Sequence, residues 1–268
     1  MLPNTYKSSN NRRAYVEKFW AWWDKHYNEV THFQFLGGEP FYQKEFDEFV
    51  EFVGNHRNPE LTINITSNLN CSTDRLKEKI EQFKGFQQDG RIKTLQIVGS
   101  IDCWGAEQEH IRFPLNLAQW EENFEYLVSQ EWLILNINSA ISSLSIKTMP
   151  DLLTRLNVWR QKRPIYQNFM TIQDPMPLNP DYLGPDVFTE DFKRIIEVMK
   201  ESVYLDIYYK NFVTYMEGIS KQVGSSTANL AKMAELKNYL NELDRRRNTN
   251  WPALYPWLVA HFDKHNIV

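Results

Sequence analysis

Cysteine is scarce in this sequence. The 268 residues include only Cys71 and Cys103, far apart and without a CxxC spacing. Neither a disulfide framework nor a four-cysteine zinc site can be built from them, and their plain reading is two small core or loop residues. Positive charge is not in excess either: the formal net charge is −4, which argues against general attraction to nucleic acid or anionic membrane. No stretch reaches the roughly 18 apolar residues of a membrane helix, and the start MLPNTYKSSNNRR has no apolar core of signal-peptide length. A cytoplasmic location is therefore expected, with no membrane partner and nothing pointing to nucleic acid. The six histidines show no metal-site spacing: His261 and His265 lie four apart on an expected terminal helix, but a third ligand is missing. A GxxxxGK[ST] phosphate loop and a GxSxG elbow are also missing.

Aromatic side chains are abundant: nine Trp, thirteen Tyr and sixteen Phe. Such a load fills a core, and beside a cleft it can stack on a planar ligand. With 42% hydrophobic and 24% charged residues the chain has the make-up of a large folded domain.

Periodicity gives the organisation. Val16, Phe19, Trp20, Trp23, Tyr27 and Val30 recur at helical spacing, a short strand is expected over His32–Leu36, and Phe46, Phe49, Val50 and Val53 mark a second helix closed by Gly54. Leu61, Ile63 and Ile65 alternate with polar residues as a strand does, and Thr73 is the expected N-cap of a helix carrying Leu76, Ile80 and Phe83. Strands are further expected over Lys93–Val98, Trp132–Ile141 and Pro164–Ile172. Helices between them carry Leu117, Trp120, Phe124 and Leu127, and then Met149, Leu152, Leu153 and Leu156. Strand starts about 29 to 39 residues apart suit successive βαβ units with parallel strands. The expected class is α/β. After Gln173 a Pro-rich stretch leads into helical patterns over Thr189–Met199 and Ala228–Leu243, and the DRRRN run, Asp244–Asn248, is expected at a helix C-terminus, where cations oppose the dipole.

In parallel α/β folds, ligands sit at the carboxyl ends of the strands. Three segments fall there. HFQFLGGEPF ends a strand on Gly37 and Gly38, which free the backbone to turn, followed by the carboxylate of Glu39, a suitable partner for an ammonium group, and by Pro40. NITSNLN ends the next strand with Ser67 and Asn68, and QIVGSIDCWGAEQEHIRF ends the third with Ser100, Asp102 and, further on, Arg112.

These three segments, in this order, resemble strand-end motifs of radical S-adenosylmethionine enzymes. The resemblance implies a partial, incomplete βα barrel of about five parallel strands with helices outside. Residues 1–175 would form that barrel, and residues 176–268 a mainly helical C-terminal extension. It further implies that Gly37, Gly38 and Glu39 hold the amino group of S-adenosylmethionine, that Thr66, Ser67 and Asn68 form the matching third-strand terminus, that Ser100 and Asp102 lie near its ribose or sulfonium, and that Arg112 faces its carboxylate. A zwitterion would then meet a carboxylate at one end and a guanidinium fork at the other. LKNYLNELDRRRNTNWPALYPWL, Leu236–Leu258, is similar to the end of family members with a twitch-type extension.

The sequence departs from the family in one respect. Members carry a CxxxCxxC loop after the first strand, whose thiolates bind a [4Fe-4S] cluster. Neither that loop nor the strand before it is present here, and LPNTYKSSN resembles the segment after the third cysteine. The expectation is of an enzyme that in complete form cleaves S-adenosylmethionine reductively to a 5′-deoxyadenosyl radical acting on an unknown substrate, with the first strand missing from this chain and no activity as written. The alternatives are a binding module for S-adenosylmethionine or a peptide, without a cluster, and an unrelated βα protein. Two cysteines also make an auxiliary cluster an unfavoured expectation.

Overall fold

Period-two alternation builds the centre of the molecule. The computed structural model describes residues 11–203 and 207–267. The segment LPNTYKSSN lies outside them. Helix α1 (Asn11–His26) passes through a 3-10 turn, Tyr27–Glu29, into β1 (His32–Phe35); α2 (Lys44–Asn55), β2 (Thr62–Ser67), α3 (Thr73–Gln88) and β3 (Thr94–Ser100) follow. Helices α4 (Ala106–Ile111) and α5 (Leu117–Val128) precede β4 (Ile134–Ile141), and α6 (Met149–Arg160) precedes β5 (Tyr166–Thr171). Helices α7 (Thr189–Lys200), α8 (Ile207–Gly224), α9 (Leu230–Arg247), α10 (Trp251–Leu254) and α11 (Pro256–Lys264) complete the described chain.

All four strand pairs are parallel, and the strands lie in sequence order β1-β2-β3-β4-β5 in one open sheet. The protein is thus α/β with outer helices, and the expected number, direction and order of strands are those observed. Stepping always to the same side, with crossovers of the usual right hand, sends every connecting helix to one face of the sheet. The side chains follow suit. Ile63 and Ile65 of β2, Leu95 and Ile97 of β3, and Leu135, Ile137 and Ile141 of β4 are buried. Burying one such side chain contributes about 1.5–3 kcal/mol. At the β1 edge Phe33 and Phe35 stack or abut Phe49, with ring centroids 5.0 and 4.7 Å apart, and Trp23 of α1 closes on Phe33 at 4.6 Å.

The opposite face of the sheet is polar. Gln34, Asn64 and Gln96 share one register row across β1, β2 and β3, and the Asn168 side-chain amide donates to Asn138 Oδ1 across β5 and β4 at 3.1 Å. The apolar core continues without a break from Trp23 to Ile267, taking in α7, α8, α9 and α11. Among the described residues no helix is long and apolar enough to cross a membrane.

Two local expectations need correction, and two helices were not anticipated. Gly54 does not close α2: the helix runs through it to Asn55, and His56 caps the end in extended conformation. The N-cap of α3 is Ser72, whose hydroxyl accepts from the Arg75 amide, and Thr73 is already helical. Helix α4 lies between β3 and α5, where no element was anticipated. Helix α8 lies between the two expected tail helices. The expected C-terminal position of the arginines holds, since Arg245, Arg246 and Arg247 form the last turn of α9 before Asn248 in left-handed conformation.

Candidate functional site

The loops at the carboxyl edge of the sheet carry two polar clusters. The first starts where β1 ends. Gly37 and Gly38 take φ of 84° and 61°, a region that side chains with a Cβ rarely adopt, and so turn the chain sharply back. This delivers Glu39 against the end of β2. Its Oε1 accepts from the Ser67 hydroxyl at 2.8 Å and the Phe41 amide at 3.3 Å, and its Oε2 accepts from the Asn68 amide at 2.8 Å. Ser67 in turn accepts from the Leu69 amide, and Asn68 Oδ1 from the Asn70 amide, each at 2.9 Å. Leu69 sits at φ 51° within this tight turn. Its carbonyl is held by the buried Asn123 amide of α5.

Burial pushes the Glu39 carboxyl above its usual range, against the three hydrogen bonds that lower it. Among the described residues no cation faces it. A carboxylate offers about four lone-pair sites, so three donors leave room for one more, on Oε2. The site is arranged to receive a donor and gains most from a charged one.

The second cluster follows β3. The Asp102 carboxylate is buried and accepts a bidentate fork from Arg112, Nε to Oδ2 at 2.7 Å and Nη2 to Oδ1 at 2.8 Å, together with the Ala140 amide of β4 at 2.7 Å. The Asp102 charge holds the Arg112 guanidinium above its ordinary value, outweighing its burial. Gln108 Oε1 accepts from the amides of Asp102 and Cys103, both at 3.0 Å, which fixes the turn. Arg112 uses two of its N–H groups on Asp102, and Nη1 remains to meet a ligand oxygen. Ser100 ends β3 in register with Asn138 and is half-buried.

Thus Glu39, Ser67 and Asn68 are brought into direct contact, Asp102 and Arg112 are brought into direct contact, and Gly37, Gly38 and Ser100 occupy the same edge without a hydrogen bond to either group among those described. A bridge between the two loops comes from Asn70, whose side chain donates to the Pro114 carbonyl at 3.3 Å and accepts from the Asn116 amide at 3.0 Å. Sequence reasoning missed Asn70, and the expectation gave Arg112 no protein partner. It also passed over the amides of the polar face, of which Asn64 Oδ1 and Asn136 Oδ1 are buried without a partner. Their signal was present in the alternation TINIT and LNINS.

The cysteines do not fit an iron–sulfur cluster. Cluster ligands are thiolates, whereas Cys71 and Cys103 are both buried; burial and the nearby Glu39 charge push the Cys71 thiol up to about 12, and burial pushes Cys103 up as well. Among the described residues no group of three His, Cys, Asp or Glu is placed to hold a metal ion. No family model, curated protein or solved structure matches the chain.

Proposed function

We propose that the carboxyl edge of this sheet binds S-adenosylmethionine, on a scaffold of the radical S-adenosylmethionine type whose strands curve as a partial barrel. Glu39 Oε2 would accept from the ligand ammonium, and Arg112 Nη1 would meet its carboxylate. Ser100 would approach the nucleoside. Because the cysteines present do not fit a cluster, no radical step is derived for this chain. The observation that carries the reading is Glu39: a half-buried carboxylate with its pKa raised by burial, steadied by three donors and facing no cation. The sequence order of Gly-Gly-Glu-Pro, Ser-Asn and Ser-x-Asp along one edge of a parallel sheet supports it.

Calorimetric titration tests this with three ligands. S-adenosylmethionine and S-adenosylhomocysteine share the amino-acid group, and 5′-methylthioadenosine lacks it. The expected outcome is saturable binding of the first two, weakened about 10-fold or more by Glu39→Gln, a loss in keeping with a charge-assisted hydrogen bond. The affinity for 5′-methylthioadenosine should not change. A folded wild-type chain that binds none of the three, or a Glu39→Gln variant that binds all as before, overturns the reading.

A further inference from the structure

A cavity of about 530 Å3 lies between α4, the loop that follows it, and the turn from α9 into α10; neither Glu39 nor Arg112 lines it. Small-molecule sites have this volume, and they are mostly apolar with a few placed polar groups. Here Phe113, Leu115 and Leu254 supply the apolar surface, and the Phe113 ring stays 46% exposed.

The polar members of the wall are Glu109, His110, Thr249 and Asn250. Three of them are spent on the protein. Thr249 donates to Asp244, and Asn250 Oδ1 accepts from the Ala253 amide at 3.3 Å. His110 has Nε2 at 3.4 Å from Asp244 and Nδ1 at 3.5 Å from the Tyr255 hydroxyl, so its ring offers the cavity no free nitrogen. Burial also lowers its pKa, which keeps the ring neutral near neutral pH.

Glu109 is the informative member. Its Oε1 accepts from the Leu117 amide at the start of α5 at 2.8 Å, so the carboxylate is held in place although the residue is exposed. Its Oε2 meets no donor among the described residues. The Arg247 guanidinium lies over the Phe113 ring at 5.4 Å and donates to the His110 carbonyl, and it is not part of the lining. The wall therefore carries one negative charge and no positive one, beside an aromatic ring.

We propose that this cavity binds an arylalkylamine, its flat ring against Phe113, Leu115 and Leu254 and its ammonium on Glu109 Oε2. The lining calls for an uncharged body, and an aromatic body gains from the Phe113 ring. The open carboxylate oxygen calls for a cationic donor at one end, where the hydrogen bond is charge-assisted. A ligand ending in a carboxylate would instead meet like charge. Binding here does not depend on S-adenosylmethionine binding at Glu39 and Arg112.

Three probes with the same ring separate these contributions: naphthylethylamine, naphthylethanol and naphthylpropionate end in a positive, a neutral and a negative group. Calorimetric titration of the full chain near pH 7 should show saturable binding of the amine, about 10-fold or more tighter than the alcohol, with the carboxylate weakest. Glu109→Gln should weaken the amine about 10-fold and leave the alcohol unchanged. Because Glu109 also holds the α5 amide, a second variant is needed: Ala253→Trp, at an exposed position in the lining, should fill the cavity and abolish amine binding with the circular dichroism of the fold unchanged. The proposal fails if the amine does not bind saturably at millimolar concentration, if the carboxylate binds as tightly as the amine, or if either variant binds the amine like wild type. Sedimentation showing a dimer that Phe113→Ser dissociates would overturn it too, by assigning the cavity to a second copy of the chain.

Discussion

Asp102 shows how a buried carboxylate can hold a partly exposed partner in place. Its carboxylate is 3% exposed and satisfies three donors, while Arg112 keeps 30% of its side chain in contact with solvent. Removing the aspartate leaves the Ala140 amide and the guanidinium without their acceptor, yet water can reach the arginine. Asp102→Ala should therefore cost about 2–4 kcal/mol, at the lower end of what breaking a buried pair costs. Chemical denaturation measures it. Arg112→Lys should recover little of the pairing, because an ammonium cannot make the fork. Glu39 behaves oppositely. Its folded pKa is raised above the ordinary 4.5 by burial, so the folded state binds the proton more tightly than the unfolded one. The stability linked to that proton is full below 4.5 and is lost as pH rises through the higher folded value. Wild type should accordingly lose stability relative to Glu39→Gln between acid and neutral pH in paired denaturation series. A stability difference independent of pH would contradict the desolvation argument.

At the scale of elements, β3 and α5 meet at Gly99. A Cβ there would lie 3.2 Å from Leu69 Cδ1 and 3.3 Å from Trp120 Cζ2, and Trp120 stacks on Phe124 at 4.7 Å with Trp159 of α6 against both. Close-packed rings cannot give way cheaply, so Gly99→Val should destabilise by about 2 kcal/mol or more, with a lower melting temperature as the readout. The same elements show what the sequence made legible. Ile63, Ile65, Leu135 and Ile137 alternate cleanly with polar residues, and the strands are where that pattern places them. Helix α8 escaped because IYYKNFV, rich in aromatic and branched residues, fits a buried strand as well as a helix; its buried Tyr209, Val213, Met216 and Val223 obey the helical period only once the whole segment is taken. Ser72 and Thr73 are adjacent hydroxyls, and only the backbone decides which one caps. The edge position of Glu39, Ser67, Ser100 and Asp102 could be read because strand ends bring loops together. The Asp102–Arg112 fork could not, because it depends on how α4 folds back over 10 residues.

The whole molecule is tied together across α4 and the tail. His110, buried on α4, lies 3.4 Å from Asp244 Oδ1 of α9 and 3.5 Å from the Tyr255 hydroxyl, and Arg247 donates to the His110 carbonyl at 2.9 Å. Asp244 also accepts from the Trp251 amide at 2.6 Å and from the Thr249 hydroxyl, so a single carboxylate organises the turn between α9 and α10 and its seat on α4. Burial lowers the His110 pKa, and Asp244 opposes that shift while Arg247 adds to it. A folded pKa below the unfolded 6.5 means the stability is present above about 6.5 and is lost as pH falls through the folded value. His261 in α11 is lowered by its own burial and acts in the same direction. Acidification should thus loosen the tail before the sheet. Hydrogen exchange corrected for intrinsic rates, compared near pH 5.5 and pH 7.5, should show protection falling first in α9 and α10, while β2, β3 and β4 hold, as local opening below the global transition permits. His110→Gln should flatten the part of that response centred on α4, α9 and α10 and leave the part at α11 to His261. Uniform loss of protection over sheet and tail alike would mean that the His110 contact does not govern the tail on its own.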